Sequence, residues 1–310
     1  MLSLDRLSLA VPSWLITDWR IEDRVYDSRY TDLPYHLLIK HDGRFRNYKV
    51  EFSAKILRDR YPELITADNV VDCLNIINTL GICTLDVDGI LREGKVIGAD
   101  FTKDVPLTVF PNIEDMRKLK TVLKLAINNH DRWNCANYRS GGMVISNAVN
   151  DCRWRRRLTV YDKADELRLS TNRPFLASLE DSERLMEYFR GRVRFELRAT
   201  TQFQLRKWLG IRELGVMDVL RSTENPLRRV MSEMFSPLFH IEESNIKKKN
   251  LTTLGRLSTL KYNNWNLDAV EVVVRQHSKR SIRESMKPYK ELWMADQLKE
   301  TVDIVEAVNG

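Results

Sequence analysis

Three acidic residues stand at the centres of three short alternating segments: Glu51 in YKVEFSAK, Asp100 in VIGADFT and Glu196 in VRFELRA. Side chains alternate between the two faces of a β-strand. Read as strands, the segments place Val50 with Phe52, Ile97 with Ala99 and Phe101, and Val193 with Phe195 and Leu197 on an apolar side. Opposite them fall Glu51 between Lys49 and Ser53, Asp100 between Gly98 and Thr102, and Glu196 between Arg194 and Arg198. A fourth segment, LTVYDK, separates Leu158 and Val160 from Thr159, Tyr161 and Lys163, so a phenol and an ammonium project together. If the four strands share one sheet, its polar face displays three carboxylates near a tyrosine. Carboxylates without histidine form a hard oxygen donor set suited to Mg²⁺ or Mn²⁺. Tyrosine beside a cation suits a nucleophile. Taken singly, each residue has a plainer reading: a strand carboxylate is usually solvated, a strand tyrosine usually packs, and an Arg-Glu-Arg face can equally be a surface ion-pair ladder of small energetic value. Periodicity alone therefore establishes a polar sheet face.

Just before the tyrosine segment the chain reads Arg153, Trp154, Arg155, Arg156, Arg157. An aromatic ring among arginines offers base stacking together with phosphate contacts, the mixture that holds single-stranded nucleic acid. The plainer alternative is a solvated hairpin turn with one packed tryptophan. Two further basic groups, Lys247 to Lys249 and Arg275 with Lys279, Arg280 and Arg283, lie near the end of the chain. The first reads as a solvated loop, and both together as a possible reader of duplex DNA.

The elements that must position these residues are short strands over the first two thirds, among them DRLSLAV, YHLLIKH, GGMVISN and RRLTVYDK. Two helical stretches interrupt them: ITADNVVDCLNIINTLG, with Thr66 as N-cap and Gly81 past its end, and NIEDMRKLKTVLKLAINNH. After about residue 204 the periodicity becomes helical. The pattern predicts an α+β protein, with an antiparallel-rich sheet domain and flanking helices over 1–204 and a smaller helical region over 205–310.

At 310 residues, 43% hydrophobic and 30% charged, the composition is that of a globular protein. Fifty Lys and Arg against 43 Asp and Glu give a net charge of +7, which favours polyanionic partners. The start MLSLDRLSLAVP lacks a signal-peptide pattern and no apolar run reaches the ~18 residues of a membrane span, so a cytoplasmic protein without membrane partners is expected. Cys73, Cys83, Cys135 and Cys152 form no CxxC pair, which argues against a disulfide framework or zinc finger.

The ordered set DRLSLAVP, KVEFSAKIL, VIGADFT, RRLTVYDKADEL and GRVRFELRATTQFQLRKWLGI resembles the filamentous-phage gene II replication endonucleases and the related gene II/X phage and plasmid replication proteins. The likeness covers roughly residues 1 to 220. Gly98 and Ala99 stand where that family often carries a basic residue before the aspartate. The resemblance implies a rolling-circle initiator that nicks one strand of its origin. Tyr161 would be the nucleophile, giving a 5′-phosphotyrosine and a free 3′ hydroxyl, with Lys163 beside it. Glu51, Asp100 and Glu196 would be ligands of Mg²⁺ or Mn²⁺, and Arg194 and Arg198 would clamp the phosphate or orient Glu196. Origin DNA, both duplex and single strand, would be the partner, with host helicase and polymerase in a bacterial cytoplasm. Tyr138 and Tyr188 are candidates for a second nucleophile.

Three alternatives compete. A non-catalytic origin-binding or copy-control protein could keep the fold, a carboxylate nuclease using water would not need Tyr161, and a tyrosine recombinase would need a helical Arg-His-Arg constellation that is not recognisable here. None of His36, His41, His130, His240 and His277 forms a His-hydrophobic-His metal motif.

Overall fold

A computed structural model describes residues 2–42, 46–238, 251–297 and 302–310. Lys247 to Lys249 and His240 lie outside the described residues. Among the described residues eleven strands are formed: β1 Leu4–Pro12, β2 Ile16–Thr17, β3 Tyr26–Asp27, β4 Leu37–Asp42, β5 Asn47–Ser53, β6 Thr84–Leu85, β7 Lys95–Pro106, β8 Trp133–Asn137, β9 Met143–Asn147, β10 Arg157–Asp162 and β11 Arg192–Ala199. Nine make one sheet in the order β3-β4-β5-β1-β7-β11-β10-β9-β8, with every neighbouring pair antiparallel, while β2 and β6 pair separately. The α+β class with a large antiparallel sheet is as the alternating segments predict.

The helices are α1 Val70–Thr79, α2 Val87–Glu93, α3 Met116–Ala126, α4 Lys163–Leu167, α5 Arg173–Ala177, α6 Ser182–Phe189, α7 Gln202–Leu209, α8 Val216–Leu220, α9 Pro226–Met234, α10 Leu251–Tyr262, α11 Leu267–His277, α12 Ile282–Gln297 and α13 Ile304–Asn309. The start of α1 falls three residues later than expected. Thr66 Oγ1 accepts from the Asp68 amide in the preceding turn, and Asn69 occupies the cap position. Gly81 follows the helix at φ +68°, the left-handed backbone that favours glycine.

Two compact units divide the chain, one from 1–106 with 129–233 and the other from 107–128 with 234–310. The division differs from a single boundary near residue 204. The helices α7 and α8 contact β7, so they belong to the sheet unit. The second unit contains α3 and α10 to α13, in which α10, α11 and α12 contact one another and Lys124 on α3 pairs with Asp268 on α11 at 2.8 Å. No helix among the described residues is long and apolar enough to cross a membrane. All four cysteines are free, with Cys73 and Cys83 buried and Cys135 and Cys152 exposed.

The sheet's apolar face carries Leu7, Leu9, Val50, Phe52, Leu158, Val160, Phe195 and Leu197, all fully buried. Two irregularities interrupt the pairing of β1 with β7. Leu4 faces Phe101 and Arg6 faces Asp100, leaving Asp5 as an extra residue; Ser8 faces Gly98 and Leu9 faces Val96, leaving Ile97 extra. Val96 therefore takes the buried place expected of Ile97, which is half-buried.

The polar face is covered as well. Arg194, expected to clamp a phosphate or orient Glu196, is completely buried. Its guanidinium donates to Asp104 at 2.7 and 2.6 Å, to Asp5 at 2.6 Å and to the Tyr61 hydroxyl at 2.6 Å. With its donors committed in this way, Arg194 belongs to the structure of the sheet. Tyr61 donates onward to Asp5 at 2.8 Å and packs against Phe175 and Phe189. Burial pushes the Asp5 carboxyl up, but the charges of Arg194 and Lys163 outweigh it and hold the pKa at about 2.

Removing one partner of a buried ion pair costs about 3–5 kcal/mol, because the other charge is left uncompensated. Arg194→Met is expected to lower the unfolding free energy by that amount in urea titration at pH 7, and a loss below about 1 kcal/mol would contradict this role. The sign of the pH dependence follows from Asp5. Its folded pKa is depressed, so its contribution is present above the unfolded value near 3.8 and fades as pH falls toward about 2.

Candidate active site

The polar side chains of β5, β1, β7, β11 and β10 share one face of five adjacent strands. Register fixes the neighbours: Ser8 lies opposite Glu51, Arg6 and Arg198 opposite Asp100, Thr102 and Thr159 opposite Glu196, and Arg194 opposite Tyr161. A cleft of about 490 Å³ opens over this face, lined by Glu51, Asp100, Glu196, Arg198, Tyr161 and Lys163 among others. The structure thus brings together in one cleft all three carboxylates, the tyrosine and the lysine singled out by type and spacing.

Each carboxylate is held differently. Glu51 accepts from Ser8, from His36 at 2.8 Å and from Arg6 at 3.4 Å, and pairs with Lys49 at 2.8 Å. Burial pushes its carboxyl up, but the hydrogen bonds from His36, Lys49 and Ser8 outweigh burial and keep it well below the usual range. Asp100 sits between two guanidinium groups. Arg6 donates to it at 3.1 Å and Arg198 at 3.2 and 3.1 Å. The Arg6 Nε lies 3.1 Å from the second Asp100 oxygen but out of line for a hydrogen bond. Burial still raises the Asp100 pKa against the pull of Arg6 and Arg198.

Glu196 accepts from the Tyr161 hydroxyl at 3.1 Å and from Arg198 at 3.4 Å. Burial, followed by the negative charges of Asp100 and Asp5, pushes its pKa up to about 7. Tyr161 is 3% exposed, and burial beside Glu196 raises its phenol well above the ordinary value. Lys163 opens α4 and is buried, its ammonium paired with Glu166 at 2.6 Å and standing over the rings of Tyr61 and Tyr161. Gly142 lies against the Tyr161 backbone, where an added Cβ would meet Tyr161 Cβ and the Val160 carbonyl, each at 2.7 Å.

The expected three-carboxylate metal site is not formed. No group of three or more His, Cys, Asp or Glu among the described residues is placed to hold a metal ion. Glu51 is committed to His36, Lys49 and Ser8. Asp100 and Glu196 remain, joined through Arg198. As hard oxygen donors, these two fit a Mg²⁺ or Mn²⁺ that takes one or two carboxylates and completes its shell with water and phosphate oxygens.

Several cleft residues carried little signal in the sequence. Arg6 and Ser8 follow the alternation of β1, but only the central place of that strand puts them between Glu51 and Asp100. Asp5 lines the cleft as the extra residue of a bulge. Lys55, Asn172 and Glu166 come from segments beside the sheet. Lys55 donates to Asn172 at 2.6 Å, and burial with repulsion from Lys163 lowers its pKa to about 8.

The segment 153–157 closes the β9–β10 hairpin and is firmly held. Asn147 donates to the Trp154 carbonyl at 2.9 Å and accepts from the Arg156 amide at 2.7 Å, while Gln204 donates to the carbonyls of Cys152 and Arg155 at 2.9 and 2.5 Å. Trp154, 43% exposed, meets Phe203, 37% exposed, edge to face at 5.0 Å, and Lys207 stands 4.2 Å above its ring. Arg153 pairs with Asp151, and Arg155 and Arg157 are exposed. Arg156, expected among the phosphate contacts, is instead buried in an ion pair with Glu233 at 2.9 Å. Tyr161 lies four residues along β10 from Arg157, about 13 Å at a strand rise of ~3.3 Å per residue.

Comparison of the chain with family models, curated proteins and solved structures finds no match.

Gly142→Ala is expected to force β10 away from the hairpin turn and destabilise the protein by about 1–3 kcal/mol, the usual cost of overpacking. Chemical denaturation measures this, and an unchanged midpoint would mean that the turn yields without strain.

Proposed function

We propose that the chain is a DNA-nicking enzyme. It opens one strand at a replication origin through a tyrosine, leaving a 5′-phosphotyrosine link and a 3′ hydroxyl from which rolling-circle synthesis proceeds. The observation that carries this reading is the convergence of Tyr161, Glu196, Asp100, Arg6 and Arg198 at one cleft. Its volume of about 490 Å³ lies within the range of ligand sites.

Transfer of a phosphodiester to a phenol needs a proton acceptor, positive groups around the phosphoryl oxygens and a fixed nucleophile. Glu196 accepts the hydrogen bond of Tyr161, the nucleophile of the sequence resemblance, which puts a carboxylate beside the phenolic proton. Arg198 and Arg6 fix Asp100 beside it, and Lys163 and Lys55 add positive charge to the cleft wall. Asp100 and Glu196 are the residues that would hold Mg²⁺ or Mn²⁺, which when bound neutralises a phosphate and favours the phenolate. Trp154 and Phe203 with Arg153, Arg155, Arg157 and Lys207 offer stacking faces and cations to the strand beyond the cleft. Arg275, Lys279, Arg280 and Arg283, exposed around the α11–α12 turn, would meet duplex phosphates. Origin DNA, host helicase and polymerase, and the cytoplasm of a bacterial host belong to this same reading.

A non-catalytic origin-binding protein is the second reading. It is favoured by the burial of Tyr161 and by the arginine partners of each carboxylate.

Supercoiled DNA carrying the cognate origin separates the two. With Mg²⁺ or Mn²⁺ the enzyme is expected to yield open circles and a covalent protein–DNA adduct on a denaturing gel. Chelator should abolish both, and Glu196→Gln should lower nicking by about a hundredfold or more. Binding without any nicking would establish the second reading. On the surface patch, replacing Arg153, Arg155 and Arg157 by Ala is expected to flatten the salt dependence of single-strand binding by about 0.7 per lost contact. Trp154→Ala should instead cost roughly 1 to 3 kcal/mol with the slope unchanged. Wild-type affinity and slope in both variants would leave the segment a solvated turn.

A further inference from the structure

We infer that Tyr138, and not Tyr161, is the tyrosine that receives the DNA strand, with Tyr161 acting as the positioning residue that holds Glu196 behind it. The inference rests on the nicking reading and assigns its nucleophile by access and hydrogen bonding.

Three tyrosines line the cleft: Tyr35, Tyr138 and Tyr161. Tyr35 is 4% exposed and its hydroxyl is sealed from solvent. Tyr161 is buried too, and its hydroxyl is spent on Glu196 at 3.1 Å. Tyr138 alone among these three is half-exposed, and no side-chain hydrogen bond among the described residues commits its hydroxyl. Tyr188, the other candidate from the sequence, belongs to α6, packs against Phe189 beneath the Arg192 guanidinium, and does not line the cleft.

The fold holds Tyr138 over the buried pair. It directly follows β8, its amide donates to the Gly142 carbonyl at 2.9 Å, and its ring lies 5.3 Å from that of Tyr161. Gly142 is the residue whose missing side chain lets this turn rest on the Tyr161 backbone. Of the three groups that meet at this end of the cleft, Tyr138 is half-exposed while Tyr161 and Glu196 are buried. Attack by a phenol requires a proton acceptor, and Glu196 lines the same cleft to serve.

The step balances as follows. The Tyr138 oxygen forms a bond to phosphorus, the bond from phosphorus to the 3′ oxygen breaks, the phenolic proton passes to the Glu196 carboxylate, and the departing 3′ oxygen takes a proton from water. Rejoining reverses each transfer.

Supercoiled DNA of the replicon that carries the gene, incubated with the full chain and Mn²⁺, provides the test. The adduct is digested with nuclease and protease, and mass spectrometry locates the residual nucleotide. It is expected on the peptide containing Tyr138. Tyr138→Phe, which removes one hydroxyl from a half-exposed ring, should lose the adduct. Tyr161→Phe should keep it on Tyr138, with the rate lowered about tenfold, the worth of one hydrogen bond to a carboxylate, and an unchanged half-saturating DNA concentration. A nucleotide on Tyr161, or an adduct that survives in Tyr138→Phe, overturns the assignment while leaving the nicking reading intact. Neither nick nor adduct from the wild-type chain overturns both.

Discussion

Charges on the covered face of the sheet must be balanced within it, because water reaches them poorly and an unpaired charge there is costly. Arg194 carries much of that balance. It is buried among Asp104, Asp5 and Tyr61, joining β11 to β7 and to the first residues of β1. Beside it, Asp100 on β7 is shared by Arg6 on β1 and Arg198 on β11, so the three central strands are tied by ion pairs on one face and by apolar packing on the other. Such pairs add little net stability compared with apolar packing. Their physical effect here is on register: a slip of one residue would turn Arg194, Glu196 and Arg198 into the apolar layer and bring Phe195 and Leu197 out of it.

The two irregularities in the β1–β7 pair shape the cleft that this network borders. A bulge lets consecutive residues Asp5 and Arg6 both line the cleft, which regular alternation would forbid. The other removes Ile97 from the buried row and sets Gly98 opposite Ser8, where an added Cβ would lie 3.2 Å from the Ala199 carbonyl. Glu196 is buried in this cleft with Asp100 and Asp5 near it, and burial, ahead of those two charges, raises its pKa. A buried carboxylate that accepts from a phenol is the chemical centre of the proposed reaction.

The basic hairpin is a separate device. Asn147 and Gln204 brace its backbone, which leaves Trp154, Arg153 and Arg155 at the surface while Arg156 turns inward to Glu233. Since the segment stands roughly 13 Å along β10 from Tyr161, the two would engage different nucleotides of one strand. Holding is thus assigned to this hairpin, and cutting to the other end of β10, where Tyr138 packs on Tyr161.

The sequence by itself determined the α+β class, most of the strands and helices, and the polar face that carries Glu51, Asp100, Glu196 and Tyr161. These are local properties: a period of two or of 3.6 is written in neighbouring residues, and a strand's two faces follow from it without knowledge of its partners. Only the tertiary structure decided which strands lie side by side, and with that the partners of every charge. It closed Arg194 inside an ion pair, turned Arg156 to Glu233, tied Glu51 to His36 and Ser8 and away from any three-carboxylate cage, and drew Asp5, Arg6 and Tyr138 into the cleft. It also placed α7 and α8 with the sheet and α3 with the later helices, across the boundary that the change of periodicity suggests. Strand order, bulges and burial arise from contacts between residues distant in the chain, and no local period records them.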